Sequence, residues 1–136
     1  MSYIIVQKVS PVYETSPVGG PEQQDYLNAV IEVETCLEAE DVLQCCLSLE
    51  KEMGRIRTMQ WEPRNIDIDI ELYGNHVLKT ADLTVPHPLM HKRAFVLKPL
   101  ADIAPDFIHP VIGLSIKEIV VDVGESGVRK IENLEL

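Results

Sequence analysis

Asp67 and Asp69 stand two residues apart in the run Asn65-Ile66-Asp67-Ile68-Asp69-Ile70-Glu71-Leu72-Tyr73, where apolar residues alternate with acids. On a strand that spacing sends both carboxylates to one face, roughly 6.5–7 Å apart. Two like charges held so close favour a cation between them. A carboxylate pair can hold one Mg²⁺ or two while phosphate oxygens fill the remaining positions. Taken alone, the pattern fits the polar face of an amphipathic strand at least as well. Its surroundings add to it: Arg64 lies three residues before Asp67, Arg55 and Arg57 lie further upstream, and Lys92 and Arg93 follow His87. Guanidinium forks neutralise and orient phosphate oxygens, which is most of what phosphoryl or diphosphoryl transfer asks of a protein. Singly, each arginine fits a surface ion pair. His87 and His91, four apart, can share a helix face, but no third ligand stands at matching spacing, which argues against zinc. Trp61, Phe95 and Tyr26, the last two residues before Asn28, suit a flat heterocycle beside polar amides, or simply a core. Neither G-x-x-x-x-G-K-[ST] nor G-x-G-x-x-G occurs, so a nucleotide would be held by side chains and metal. No serine sits in a nucleophile-elbow context.

The elements that must position these groups follow from periodicity. Tyr3 to Tyr13 and Tyr26 to Thr35 read as an antiparallel strand pair around the turn signal Val18-Gly19-Gly20-Pro21. Val42, Leu43, Cys46, Leu49 and Met53 recur at helical spacing over 39–53, with Gly54 where a C-terminal cap belongs and Cys45 and Cys46 on or beside the buried face. Asn65 to Tyr73 is the clearest strand, ending at Gly74-Asn75. A helical stretch over 89–103, broken at Pro99, stops near Pro105, and a short helix is expected around 116–120. Strand, strand, helix, strand without βαβ alternation predicts an α+β fold with a mainly antiparallel sheet and helices packed on it, consistent with a ferredoxin-like core lacking its first two elements.

Composition bounds the rest. The 136 residues, 46% apolar, suffice for one domain with its own core. No apolar run is long enough to span a bilayer, and the first residues lack the marks of a signal peptide. Cys36, Cys45 and Cys46 make no C-x-x-C and no even framework, which fits a reducing, cytoplasmic setting. A net charge of −10 argues against nucleic-acid and membrane partners. Yet residues 51–98 hold eight bases against six acids, whereas the remainder holds four against sixteen. A locally basic stretch in an acidic chain suits a small polyanion such as a nucleotide.

The run Trp61-Glu62-Pro63-Arg64-Asn65-Ile66-Asp67-Ile68-Asp69-Ile70, followed by Leu83-Thr84-Val85-Pro86-His87-Pro88 and Arg93-Ala94-Phe95-Val96-Leu97-Lys98-Pro99-Leu100, closely resembles the 6-hydroxymethyl-7,8-dihydropterin pyrophosphokinases. Tyr13-Glu14-Thr15, Asp25-Tyr26-Leu27-Asn28-Ala29 and Glu50-Lys51-Glu52-Met53-Gly54-Arg55 extend the likeness over nearly the whole chain, taken as one domain over 1–136. The resemblance implies transfer of a diphosphate from MgATP to a pterin alcohol, releasing AMP, in folate biosynthesis. It implies two Mg²⁺ ions on Asp67 and Asp69, catalytic Arg55 and Arg64, and ATP contacts from Glu50, Ile70, Thr84, His87 and Arg93. It further implies a pterin ring between Tyr26 and Phe95, read by Asn28, Thr15 and the backbone near Val18, with Trp61 closing over it.

The sequence departs from the family pattern in three places. The family opens with a central strand ending in Gly-Ser-Asn and a helix, and neither is present. Without that strand, neighbouring strands would show unpaired backbone groups and an uncovered apolar face, which leaves three explanations: a shortened chain, a misassigned start, or completion by another copy or a partner. Leu47 and His91 replace residues that are often polar and lysine, respectively. The alternative to an active enzyme is a remnant that binds pterin or nucleotide without turnover. A ferredoxin-like nucleic-acid-binding module is disfavoured by the acidic charge.

Overall fold

A computed structural model describes residues 4–15, 26–56, 66–124 and 127–131. The expected strand pair is present, folded over on itself. Strand β1 (Ile4–Val9) pairs antiparallel with β4 (Ile31–Thr35), and β2 (Tyr13–Thr15) with β3 (Tyr26–Asn28), so one long hairpin contributes to two sheets. The fold-over falls at Ser10-Pro11, because proline brings no N–H to a ladder. Ser10 bridges the gap instead: its N–H donates to the Val30 carbonyl and its Oγ accepts from the Val30 N–H. A bulge between Val6 and Lys8 adds a second irregularity. Strand β7 (Val128–Lys130) pairs with the other edge of β2, giving the order β3-β2-β7.

Helix α1 (Ala39–Ile56) begins with Glu40 and Asp41, whose charges complement the positive end of the helix dipole. It runs through Gly54 rather than stopping there. Gly54 is not among the glycines with positive φ, so it supplies no left-handed cap. The expected apolar stripe is buried only in its first part: Val42 is buried and Leu43 half-buried, whereas Leu49 and Cys45 are exposed and Cys46 is half-buried. Cys45 is therefore a surface residue.

The segment 66–73, expected as the clearest strand, makes no strand ladder among the described residues. Alternation alone cannot create a ladder, which needs a neighbouring strand to exchange backbone hydrogen bonds. Other groups hold it. The Ile68 N–H donates to Glu50 Oε2 of α1 at 2.5 Å, the His87 N–H donates to the Glu71 carbonyl at 2.8 Å, and the Tyr73 hydroxyl donates to the Leu37 carbonyl. The segment thus runs along α1, from its second half at Glu50 back to Leu37, two residues before its start, and turns at Gly74 with φ +54°.

A short hairpin of β5 (Leu78–Lys79) and β6 (Thr84–Val85) leads through a cis Val85-Pro86 bond to a 3₁₀ turn at Met90–Lys92 and helix α2 (Ala94–Ile103). Helix α2 continues across Pro99 and ends at Ala104, whose N–H reaches the Leu100 carbonyl. Pro99 removes one helical hydrogen bond, but its side chain is fully buried, so packing holds the helix together where local propensity would break it. Helix α3 (Ile116–Val123) starts with a capping box between Ser115 and Glu118, runs three residues beyond the expected 116–120 and is capped by Gly124, φ +84°.

All described strand pairs are antiparallel and, with three helices, make the expected α+β fold, distributed over three small sheets. Met90, Val96, Leu97, Leu100, Ile116 and Ile119 form the main core between α2 and α3. A second cluster joins Ala39 to Leu83 and Val85, with Leu43, Ile70, Tyr73 and Leu78 packed on it. Every residue of β1 is exposed. Among the described residues no helix is long and apolar enough to cross a membrane.

Candidate active site

Asp67 and Asp69 are both exposed, while Ile68 and Ile70 between and after them are half-buried, so the alternation that spaces the carboxylates survives without a ladder. Glu50, expected as a nucleotide contact, is committed through Oε2 to the Ile68 N–H and thereby fixes the backbone between the two aspartates. Ile70 is anchored in the second cluster. Thr84 lies on β6, and the cis peptide bond that follows leads to His87, whose N–H is bound to the strand-like segment at Glu71. These three connections bring β6, His87 and the aspartate segment to one place.

His87 accepts the Leu89 N–H on Nδ1 at 3.1 Å, which leaves the proton of the neutral ring on Nε2. Burial, then the charge of Arg93, lowers the pKa of this ring against the raising effect of Asp69. With Nδ1 engaged, Nε2 is the ring nitrogen left to face a phosphate oxygen. Arg93 precedes the first turn of α2, with its guanidinium 5.5 Å from the centroid of the Phe95 ring. His87 and His91 line the same small pocket. Among the described residues no three His, Cys, Asp or Glu side chains converge to hold an ion. A third histidine, His109, shares a small pocket of about 120 Å³ with both, but its Nδ1 is occupied by the Val111 and Ile112 N–H groups.

On the sheet β3-β2-β7, Asn28 Nδ2 donates to Thr15 Oγ1 at 3.2 Å. The pair keeps the Asn28 carbonyl oxygen as an acceptor and the Thr15 hydroxyl proton as a donor, a complementary edge for a heterocycle that carries both. Tyr26 is exposed on β3, and Phe95 is half-buried on α2, which packs against β2 and β3. Arg55 lies by its backbone on the last turn of α1. Val18, Trp61 and Arg64 lie outside the described residues.

Sequence reasoning passed over Glu71, although its place two residues after Asp69 continues the same alternation. Its Oε1 is buried and finds no hydrogen-bond partner among the described residues. Burial first, and then the Asp69 charge, pushes its carboxyl up to about 7 against the pull of Arg93. The folded protein therefore holds this proton more tightly than the unfolded chain. That contribution to stability is complete below the ordinary carboxylate range and is lost as pH rises through about 7. Metal-free Glu71→Gln protein should accordingly unfold at higher urea than the parent at pH 8, with the gain shrinking towards pH 5. Equal shifts at both pH values in urea titrations would contradict a protonated Glu71.

Comparison with known proteins places the chain in context. The family profile described as 7,8-dihydro-6-hydroxymethylpterin-pyrophosphokinase matches residues 1–105. A Synechocystis sp. protein named 2-amino-4-hydroxy-6-hydroxymethyldihydropteridine pyrophosphokinase is 42% identical over 120 residues, which cover 88% of this chain and 61% of that protein. A protein of the same name from Aquifex aeolicus is 40% identical over 85% of this chain and 72% of its own length. Folic acid synthesis protein FOL1 of Dictyostelium discoideum is 42% identical over 90% of this chain, but this spans only 19% of the larger protein.

Proposed function

Because the chain belongs to the 7,8-dihydro-6-hydroxymethylpterin-pyrophosphokinase family, we propose that it transfers a diphosphate from MgATP to 6-hydroxymethyl-7,8-dihydropterin, releasing AMP. The observation that supports this reading is the meeting of the aspartate segment with His87, whose N–H binds the Glu71 carbonyl and whose ring feels the charges of both Asp69 and Arg93.

Asp67 and Asp69 would hold two Mg²⁺ ions. Paired carboxylate oxygens suit a hard cation, and the lack of further protein ligands among the described residues leaves coordination positions for phosphate and water. Bound there, the ions supply charge neutralisation and alignment of the phosphate chain. The Glu50 anchor at Ile68 limits the backbone movement that would separate the two carboxylates. His87 donates from Nε2 to a phosphate oxygen, and Arg93 places a second cation beside it. Thr84 and the Ile70 backbone line the nucleotide's path. Arg55 and Arg64 neutralise the diphosphate as it moves.

In this reading the pterin ring stacks between Tyr26 and Phe95. Asn28 Oδ1 accepts from an amino group of the ring and the Thr15 hydroxyl donates to a ring acceptor. Bound in this way, the pterin would present its hydroxymethyl oxygen in line to the β-phosphorus, and orientation would supply much of the rate. The experiment is a steady-state assay for AMP with ATP, the pterin alcohol and Mg²⁺ each omitted in turn. AMP release should require all three; release without the pterin would point to simple nucleotide hydrolysis.

A further inference from the structure

We propose that Tyr13 and Asp102 are positioning residues for the pterin site, a role that rests on the function proposed above. The Tyr13 hydroxyl donates to Asp102 Oδ2 at 2.5 Å, and Tyr13 itself is only 3% exposed. Tyr13 belongs to β2 and Asp102 to α2, so this hydrogen bond ties the two elements that carry opposite walls of the site.

The spacing gives the bond its reach. Thr15 is two residues beyond Tyr13 on the same strand, hence on the same side of it. Phe95 is seven residues before Asp102, two turns of α2 and on the same helix face, about 10 Å along the axis. One bond therefore sets the separation between the Thr15–Asn28 edge and the Phe95 ring. The C-terminal strand reinforces it. Lys130 of β7 places Nζ 3.6 Å from Asp102 Oδ2 and 5.8 Å from the Tyr13 ring centroid, and Arg129 pairs with Glu14, the residue between Tyr13 and Thr15. The Tyr13 hydroxyl has a charged acceptor with a cation at its back, which makes it a stronger tie than a neutral pair.

The test compares Tyr13→Phe, Asp102→Ala, their double variant and Asp102→Asn by pterin binding and steady-state kinetics. Tyr13→Phe and Asp102→Ala should each raise the KM and Kd for the pterin about tenfold, as expected for a hydrogen bond to a charged group. The KM for ATP should stay within about twofold, and the double variant should be no worse than either single. Asp102→Asn, whose amide oxygen still accepts from the tyrosine, should recover most of the affinity. A fall in melting temperature with unchanged pterin affinity, or equal weakening towards pterin and ATP, would overturn the proposal. If the parent protein itself binds no pterin, the functional reading fails before any variant is measured and this inference falls with it.

Discussion

Asp69→Asn is expected to lower Mg²⁺-dependent AMP release by about a thousandfold, and Asp67→Asn by a similar factor. Both side chains are exposed and neither belongs to a core cluster, so the fold should tolerate the exchange with little change in melting temperature. An amide retains the size and one oxygen of the carboxylate but not its charge, and charge is what a hard cation takes from this pair. Raising Mg²⁺ should recover part of the activity if the loss lies in metal affinity. Near-normal turnover in either variant, measured at saturating ATP, would move the metal away from this segment.

Leu97→Ala is expected to destabilise the protein by about 3–4 kcal/mol. Leu97 is fully buried in the cluster that joins α2, α3 and the 3₁₀ turn, where close packing resists collapse around a deleted side chain. Because α2 also carries Phe95 and Asp102, unfolding should be accompanied by loss of pterin affinity at temperatures where the parent still binds. Urea titration checks the first part. A loss below about 1 kcal/mol would mean that α2 is held mainly by its strand contacts rather than by this core.

Local chemistry was legible wherever it was also decisive. The Gly74 turn, the helical stretch that holds α2 and the short helix beginning at Ile116 follow from residues acting on their near neighbours. The failures share one physical origin, a tertiary effect overriding a local signal. Gly54 reads as a stop only if the chain turns there, and α1 does not turn. Pro99 reads as a break only if its helix lacks support, and Pro99 is buried. The alternation in 66–73 reads as a strand, yet a ladder depends on a neighbour that periodicity cannot specify; Glu50, His87 and Leu37 hold the segment instead.

The site divides along the same line. Asp67, Asp69, His87 and Arg93 stand in short motifs, and the structure brings their segments together. Glu71 escaped notice because its chemistry comes from burial, which an alternating acid does not announce. Asp102 escaped because its partner lies 89 residues away. Every residue of β1 is exposed, Ile4, Ile5, Val6 and Val9 among them, which strand periodicity alone does not announce.

Product identity is the most direct measurement. ATP, 6-hydroxymethyl-7,8-dihydropterin and Mg²⁺ would be incubated with the protein and the mixture followed by ³¹P NMR. Diphosphate transfer gives one AMP for each pterin diphosphate, with no ADP and no free phosphate. ADP with a pterin monophosphate, or AMP with inorganic diphosphate and unmodified pterin, would contradict in-line attack by the pterin oxygen at the β-phosphorus.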